Sequence, residues 1–372
     1  MSRAPTHTSH ASPAPSEVSE TEKADVIDVR EDERLDVERL SDYLKGRLEG
    51  AEAPLTIRQF GGGHANLTYL LTFGEGDAAV EYVLRRPPHG TLAPGAHDMK
   101  REYRALSRLW KGFPYAPRAF LLCEDHDIAG ADFFVMERRR GIVVRREVPP
   151  EFGGGDDPVA NRKLSEVVVD TLAEFHQVAP ESVGLEDLGR PEGFLERQVT
   201  GWADRYRRAR TSDFALAEEL SRWLVDNLPE SPPPTLLHND WKLDNMAVAP
   251  DDPGRCVAVF DWDMCTQGDP LCDLGSLMSY WVEGGDGGPA VAMPTHLEGF
   301  MQADEALARY AERTGTDLAV MPYYVVFGVY KTAVVLQQLF VRYHRGQTQD
   351  ERFAGLGAAA EALFARAAAR RP

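Results

Sequence analysis

A chain of 372 residues with 43% hydrophobic content can build one large two-lobed unit or two ordinary domains around a sizeable core. A formal net charge of −18 argues against a nucleic-acid partner, which selects a basic surface, and against adhesion to an anionic membrane. The first twenty residues lack a secretory apolar core, no unbroken apolar run is long enough to span a bilayer, and the four cysteines form no C-x-x-C pair. The expectation is a cytoplasmic protein with free, buried thiols.

Residues 1–32 are rich in Ser, Thr, Pro, Ala and Glu and too poor in large apolar groups to offset the cost of ordering. They read as a disordered tail. A helix is expected over about 33–49, where Leu35, Leu40, Leu44 and Leu48 recur at helical spacing. The period then changes: LTIRQF, LTYLLTF and EYVLRR are strand-like runs parted by GGGHAN and GEGDAA, the pattern of an antiparallel meander. AHDMKREYRALSRLW follows as an amphipathic helix, and PRAFLLCED and ADFFVMERR read as two further strands.

From residue 138 the character becomes helical. Helices are expected over 158–178, 194–210, 213–228, 270–282, 297–314, 320–345 and 350–369, with short strands near 244–249 and 255–260. The division is therefore a lobe over 33–137 and a second over 138–372. The fold class is α+β: a small antiparallel β lobe with one internal helix, then a larger, mostly helical lobe.

The densest chemistry lies in LLHNDWKLDN, residues 236–245, and in VFDWDMCTQGD, residues 259–269. Transfer of a phosphoryl group needs a carboxylate to receive the proton of the attacking hydroxyl and hard oxygen ligands to hold Mg²⁺ against nucleotide phosphates. Asp240 suits the first task. Asn245 and Asp261, the latter at the end of an apolar strand, suit the second. A His238-x-Asp240-x-x-x-x-Asn245 pattern arises by chance in roughly one in a hundred chains of this composition.

HNDWKLDN followed by VFDWD resembles the catalytic and metal loops of the aminoglycoside phosphotransferase and choline kinase superfamily, which is distantly similar to protein kinases. The resemblance extends over roughly residues 50–345. GGGHANLTY resembles the family's nucleotide loop, VLRRPP its third strand and AHDMKREY its ion-pair helix. LRRPP, AHDM and REY together are most similar to the branch fused to acyl-CoA dehydrogenases.

What the resemblance implies is an ATP- and Mg²⁺-dependent small-molecule kinase with a bilobal, protein-kinase-like fold. Asp240 is then the base, Asn245 and Asp261 the metal ligands, and Lys242 a partner of the γ-phosphate. His238 supports the catalytic loop and Trp241 packs. Asp273 braces the loop, while Asp263 and Asp269 serve either the site or local structure. Gly62, Gly63 and Asn66 approach phosphate, Arg85 replaces the usual third-strand lysine and pairs with Glu102, and the backbone near Glu137 and Arg138 meets adenine.

The phosphate acceptor is expected to be a small-molecule alcohol. Residues 280–372 hold 10 Asp/Glu against 9 Lys/Arg, so no acidic wall for a polycationic amino sugar stands out. Their aromatics, among them Tyr280, Trp281, Phe300, Tyr323, Tyr324, Phe327 and Tyr330, suit either helix core or the wall for an apolar, hydroxyacyl-type acceptor. An antibiotic phosphotransferase and a non-catalytic nucleotide-binding module are the alternatives.

Overall fold

Alternation along two strands decides how the small lobe is layered. In strand Phe133–Glu137 the side chains of Phe133 and Val135 join one apolar cluster, while Phe134 and Met136 join another. Successive strand residues point to opposite faces, so this sheet is covered on both sides. The computed structural model describes residues 26–61, 66–88, 98–212, 214–284 and 293–372.

The sheet contains β1 (Val26–Ile27), β2 (Leu55–Phe60), β3 (Leu67–Phe73), β4 (Val80–Arg86), β5 (Ala119–Cys123) and β6 (Phe133–Glu137), in the order β1-β2-β3-β4-β6-β5, with every pairing antiparallel. Helix α1 (Val37–Leu44) buries Leu40 and Leu44 on one face. Helix α2 (Met99–Leu109) buries Met99, Glu102, Ala105, Leu106 and Leu109 on the other. Alternation also separates the two strand arginines. Arg86 shares parity with Leu84 and donates to the carbonyl of Ala129, while Arg85 shares parity with Val83 and faces α2 and the cleft.

The small lobe carries the expected α1 and α2 and, besides them, the one-turn helix α3 (His126–Ala129). Of the tail expected over 1–32, residues 26–32 are ordered, and residues 1–25 lie outside the described residues. Val26 and Ile27 pair with Phe60 and Gln59, and the Arg30 amide donates to the Gln59 side chain at 3.1 Å. Composition understated this stretch because an edge strand needs backbone partners more than apolar mass.

The large lobe is built on α4 (Pro158–His176), α5 (Pro180–Val183), α6 (Phe194–Ala209), α7 (Ala215–Asp226), α8 (Pro270–Tyr280), α9 (Ala303–Thr314), α10 (Met321–His344) and α11 (Leu356–Ala369). The last expected helix starts later than 350, because residues 351–353 form a separate 3₁₀ turn. Between α7 and α8 lie β8 (Thr235–Leu237), β9 (Met246–Ala249), β10 (Asp252–Val259) and β11 (Thr266–Gly268). β10 and β9 form a sheet with β7 (Ile142–Val143), and β11 pairs with β8.

α8 and α10 form the centre of this lobe. All of α8 except Tyr280 is buried, and α10 has length and composition enough for a membrane span while 67% of that apolar window is buried inside the protein. Their backbones touch at glycines: a Cβ on Gly275 would lie 2.3 Å from the Tyr324 carbonyl oxygen, and one on Gly328 would lie 2.1 Å from that of Gly275. The four cysteines are free and buried.

Candidate active site

β8 ends at Leu237, and the chain turns sharply through Asn239, whose φ of 68° lies in the left-handed region that favours Gly and Asn. Asp273, on the first turn of α8, stabilises this turn. Its carboxylate accepts the His238 amide at 2.7 Å and the Asn239 amide at 2.6 Å. Burial acts to raise the Asp273 carboxyl, but the His176 hydrogen bond, with His176 and His238 beside it, outweighs burial and holds it below the ordinary range. His176 Nε2 lies 3.3 Å from Asp273, and His176 Nδ1 lies 2.7 Å from the Tyr310 hydroxyl.

His238 is fully buried between Trp241 and Trp262. Its Nε2 is 2.8 Å from the Phe260 carbonyl, which can only accept, so Nε2 carries the proton and Nδ1 accepts the Asp240 amide at 3.2 Å. That placement removes His238 from contact with a substrate. It leaves His238 to support the loop, with no part as an acid or base. Trp241 donates to the Val168 carbonyl and stacks on Phe175.

Asp240 is held on both carboxylate oxygens. Oδ2 accepts from Lys242 Nζ at 2.8 Å and from Asn245 Nδ2 at 3.0 Å, and Oδ1 accepts from the Tyr280 hydroxyl at 3.0 Å. The Asn245 amide also donates to the Asp240 carbonyl at 2.8 Å. With both donations directed to Asp240, the Asn245 amide oxygen is the end left to meet a cation. Burial acts to lower the Lys242 ammonium pKa, yet the Asp240 charge beside it overrides this and raises it.

Asp261 follows β10 with a left-handed φ of 64° and pairs with Arg85, whose Nε sits 3.0 Å from Glu102 Oε2. Burial acts to raise the Asp261 carboxyl, and the Arg85 charge and hydrogen bond override it, so the group is held below its ordinary value. Burial pushes buried Glu102 up to about 8 against the pull of Arg85. Asp263 is pushed up to about 7 by burial first and by the Asp261 charge second.

The residues present fit Mg²⁺. An amide oxygen at Asn245 and a carboxylate at Asp261 are hard donors, and Mg²⁺ takes one or two protein carboxylates and completes its shell with phosphates and water. Asp263 is raised first by burial and second by the Asp261 charge, and a divalent cation would relieve that second contribution.

Between the lobes lies a cavity of about 190 Å³. Phe60, Val83, Met136, Val143 and Phe260 give it apolar walls, Glu137 and Arg138 lie at its hinge side, and Arg85, Glu102 and Asp261 form its charged end. The Glu137 amide donates to the Arg118 carbonyl at 2.9 Å, so that N–H is already committed. The Arg138 guanidinium lies over the Phe60 ring at 5.1 Å. Asn66 is buried at the entry to β3, and Gly62 and Gly63 lie outside the described residues.

Of the two readings kept open for the aromatics, helix core is the one that the packing bears out for most. Trp281, Phe300, Tyr323, Tyr324, Phe327 and Tyr330 are buried in the helical core; Tyr324 donates to Asp269, the N-cap of α8, at 2.5 Å, and Tyr323 donates to the Leu224 carbonyl. Of that set, Tyr280 contacts the catalytic loop. The roles of His176 and Lys331 were not legible in the sequence, since Lys331 meets the loop, and His176 meets Asp273, from a helix remote in the chain.

The sequence profile of the phosphotransferase enzyme family matches residues 56–317. Acyl-CoA dehydrogenase family member 11 of Homo sapiens is 32% identical over 344 residues; the match takes in 89% of this chain and 42% of that protein. The chain thus spans less than half the length of this curated relative. A Ralstonia eutropha crystal structure, provisionally described as an aminoglycoside phosphotransferase, is 26% identical with a TM-score of 0.75, covering 90% of this chain and 99% of the other. An aminoglycoside phosphotransferase solved in ternary complex with streptomycin and ATP shares the fold at 15% identity and a TM-score of 0.51, covering 82% of this chain and 90% of its own.

Proposed function

The chain belongs to the phosphotransferase enzyme family, and from that membership we propose that it transfers the γ-phosphate of ATP to the hydroxyl of a small molecule with Asp240 as the base. The observation that carries the reading is a loop in which Lys242 and Asn245 hold Asp240, tied to the strand end by the Phe260 amide donating to the Asn245 carbonyl at 2.8 Å, next to Asp261 paired with Arg85 at the charged end of the interlobe cavity.

Asp240 takes the acceptor proton, and its two fixed oxygens give that hydroxyl a defined direction. Lys242, kept protonated beside Asp240, offsets charge on the transferring group. Arg85, oriented by Glu102, presents a planar fork to the nucleotide phosphates and so takes the part usually given to lysine. Asn245 and Asp261 would hold Mg²⁺, whose chemistry when bound would be neutralisation of phosphate charge.

The acceptor we infer is an apolar alcohol of the hydroxyacyl type. The near-even charge over 280–372 and the similarity to an acyl-CoA dehydrogenase family member support that class over an amino sugar. The test is purified protein with labelled ATP against a panel of hydroxyacyl compounds, aminoglycosides and macrolides. Label on hydroxyacyl compounds, lost in Asp240→Asn, is expected. Aminoglycoside resistance conferred on a sensitive host and lost in Asp240→Asn would establish the antibiotic enzyme instead.

A further inference from the structure

Lys331 stands near the middle of α10, far in sequence from the catalytic loop, yet its ammonium reaches that loop. Nζ donates to the Asn239 carbonyl at 2.6 Å, lies 3.5 Å from Ser276 Oγ on α8 and sits 5.7 Å from the centre of the Trp202 ring on α6. A half-buried ammonium is more easily placed against a carboxylate, whose charge offsets its desolvation. Here it is placed against the one carbonyl that precedes Asp240.

That carbonyl belongs to the left-handed residue of the turn. Asp273 already holds the amides of His238 and Asn239, and His238 Nδ1 holds the amide of Asp240. The peptide joining Asn239 to Asp240 is therefore gripped at its N–H by His238 and at its oxygen by Lys331. With both ends of one rigid plane fixed, the position of the Asp240 Cα and the axis of its N–Cα bond are fixed too, which leaves φ as the remaining freedom of the side chain's base.

We propose that Lys331 is a positioning residue: by holding the Asn239 carbonyl it sets the direction in which Asp240 meets the acceptor hydroxyl. The inference rests on Asp240 being the base.

Several charged and titratable groups surround this ammonium: Asp240 and Lys242 on the loop, and Cys272 and Asp273 on α8. Burial lowers the Lys331 pKa; Asp240, Asp273 and Cys272 oppose this, Lys242 adds to it, and the result stays below the ordinary lysine value. As pH rises through that lowered value the hydrogen bond to Asn239 loses its charge and weakens. Lys242 and Tyr280 are both shifted up, so they titrate later.

The experiment uses the full chain with MgATP and water as acceptor, reading ADP release across pH for wild type, Lys331→Met, Lys331→Arg and Asp240→Asn. Lys331→Met is expected to lose on the order of 10–100-fold in kcat with little change in KM for MgATP, as misdirection of one group produces. It should also lose the alkaline fall in rate, and amide exchange in 236–245 should quicken. Lys331→Arg, which folds if the methionine variant does not, should move the alkaline fall to higher pH because arginine keeps its charge. A wild-type rate and pH profile in Lys331→Met or Lys331→Arg, beside an inactive Asp240→Asn, would overturn the positioning role alone. Full activity in Asp240→Asn would overturn the base assignment and this inference together.

Discussion

Asp240 offers the acceptor a carboxylate whose oxygens are already directed by Lys242, Asn245 and Tyr280. Replacing it with asparagine keeps volume and removes proton acceptance, so Asp240→Asn should retain the wild-type melting temperature and lose about 10²–10⁴-fold in turnover. A steady-state rate close to wild type would remove Asp240 from the mechanism. Asp261 behaves differently because it answers to two cations: Arg85 in the described structure and Mg²⁺ in the proposed one. Asp261→Ala should weaken MgATP binding as well as rate. A wild-type chain at 100-fold excess of MgATP over Kd gains about 2.7 kcal/mol of stability. A thermal shift by MgATP that is as large in Asp261→Ala as in wild type would show that Asp261 holds no metal.

At the scale of elements, the site depends on two helices meeting closely. α8 brings Asp273 and Tyr280 to the loop, and α10 brings Lys331. The crossing is set by Gly275 and Gly328, whose missing side chains let backbone meet backbone. A methyl at Gly328 would strike the Gly275 carbonyl, a contact that no rotamer change relieves. Gly328→Ala should therefore cost on the order of 1–3 kcal/mol or more and lower activity together with stability, since the helices that grip the loop are forced apart. Denaturant unfolding and turnover measured on the same sample check this; unchanged stability would mean that the helices slide apart freely.

Across the whole molecule, the lobes are tied by α2. Glu102 reaches Arg85 and, through it, Asp261, while Arg101 donates to the Cys265 carbonyl at 2.8 Å and Arg104 pairs with Asp187. The N-terminal edge of the sheet is the less protected end. A chain begun at Asp32 loses β1 and the Arg30 amide that the buried Gln59 side chain accepts. Leaving that group unpaired costs about 1–3 kcal/mol, so the truncated chain should melt earlier than one begun before Val26. Equal melting temperatures would show that β1 adds nothing to the fold.

The α+β class, most helices, the meander and the loop holding Asp240, Lys242 and Asn245 were open to reading from the sequence, because each is written in local periodicity or in a short spacing. Asp261 was legible for the same reason, as a carboxylate at the end of an apolar strand. The brief strands β7, β8 and β11 were not, since two or three residues carry no period. Nor was the fate of the α10 aromatics: an apolar helix face looks alike whether it meets a ligand or another helix, and only packing sends Tyr324 to Asp269. That Asp273 braces the loop was expected from the resemblance; the wider network, in which His176 holds Asp273 and Lys331 holds the loop, belongs to the tertiary structure. It joins residues about 35 to 97 positions apart, and no local rule of helix or strand records which distant side chain will face a given carbonyl.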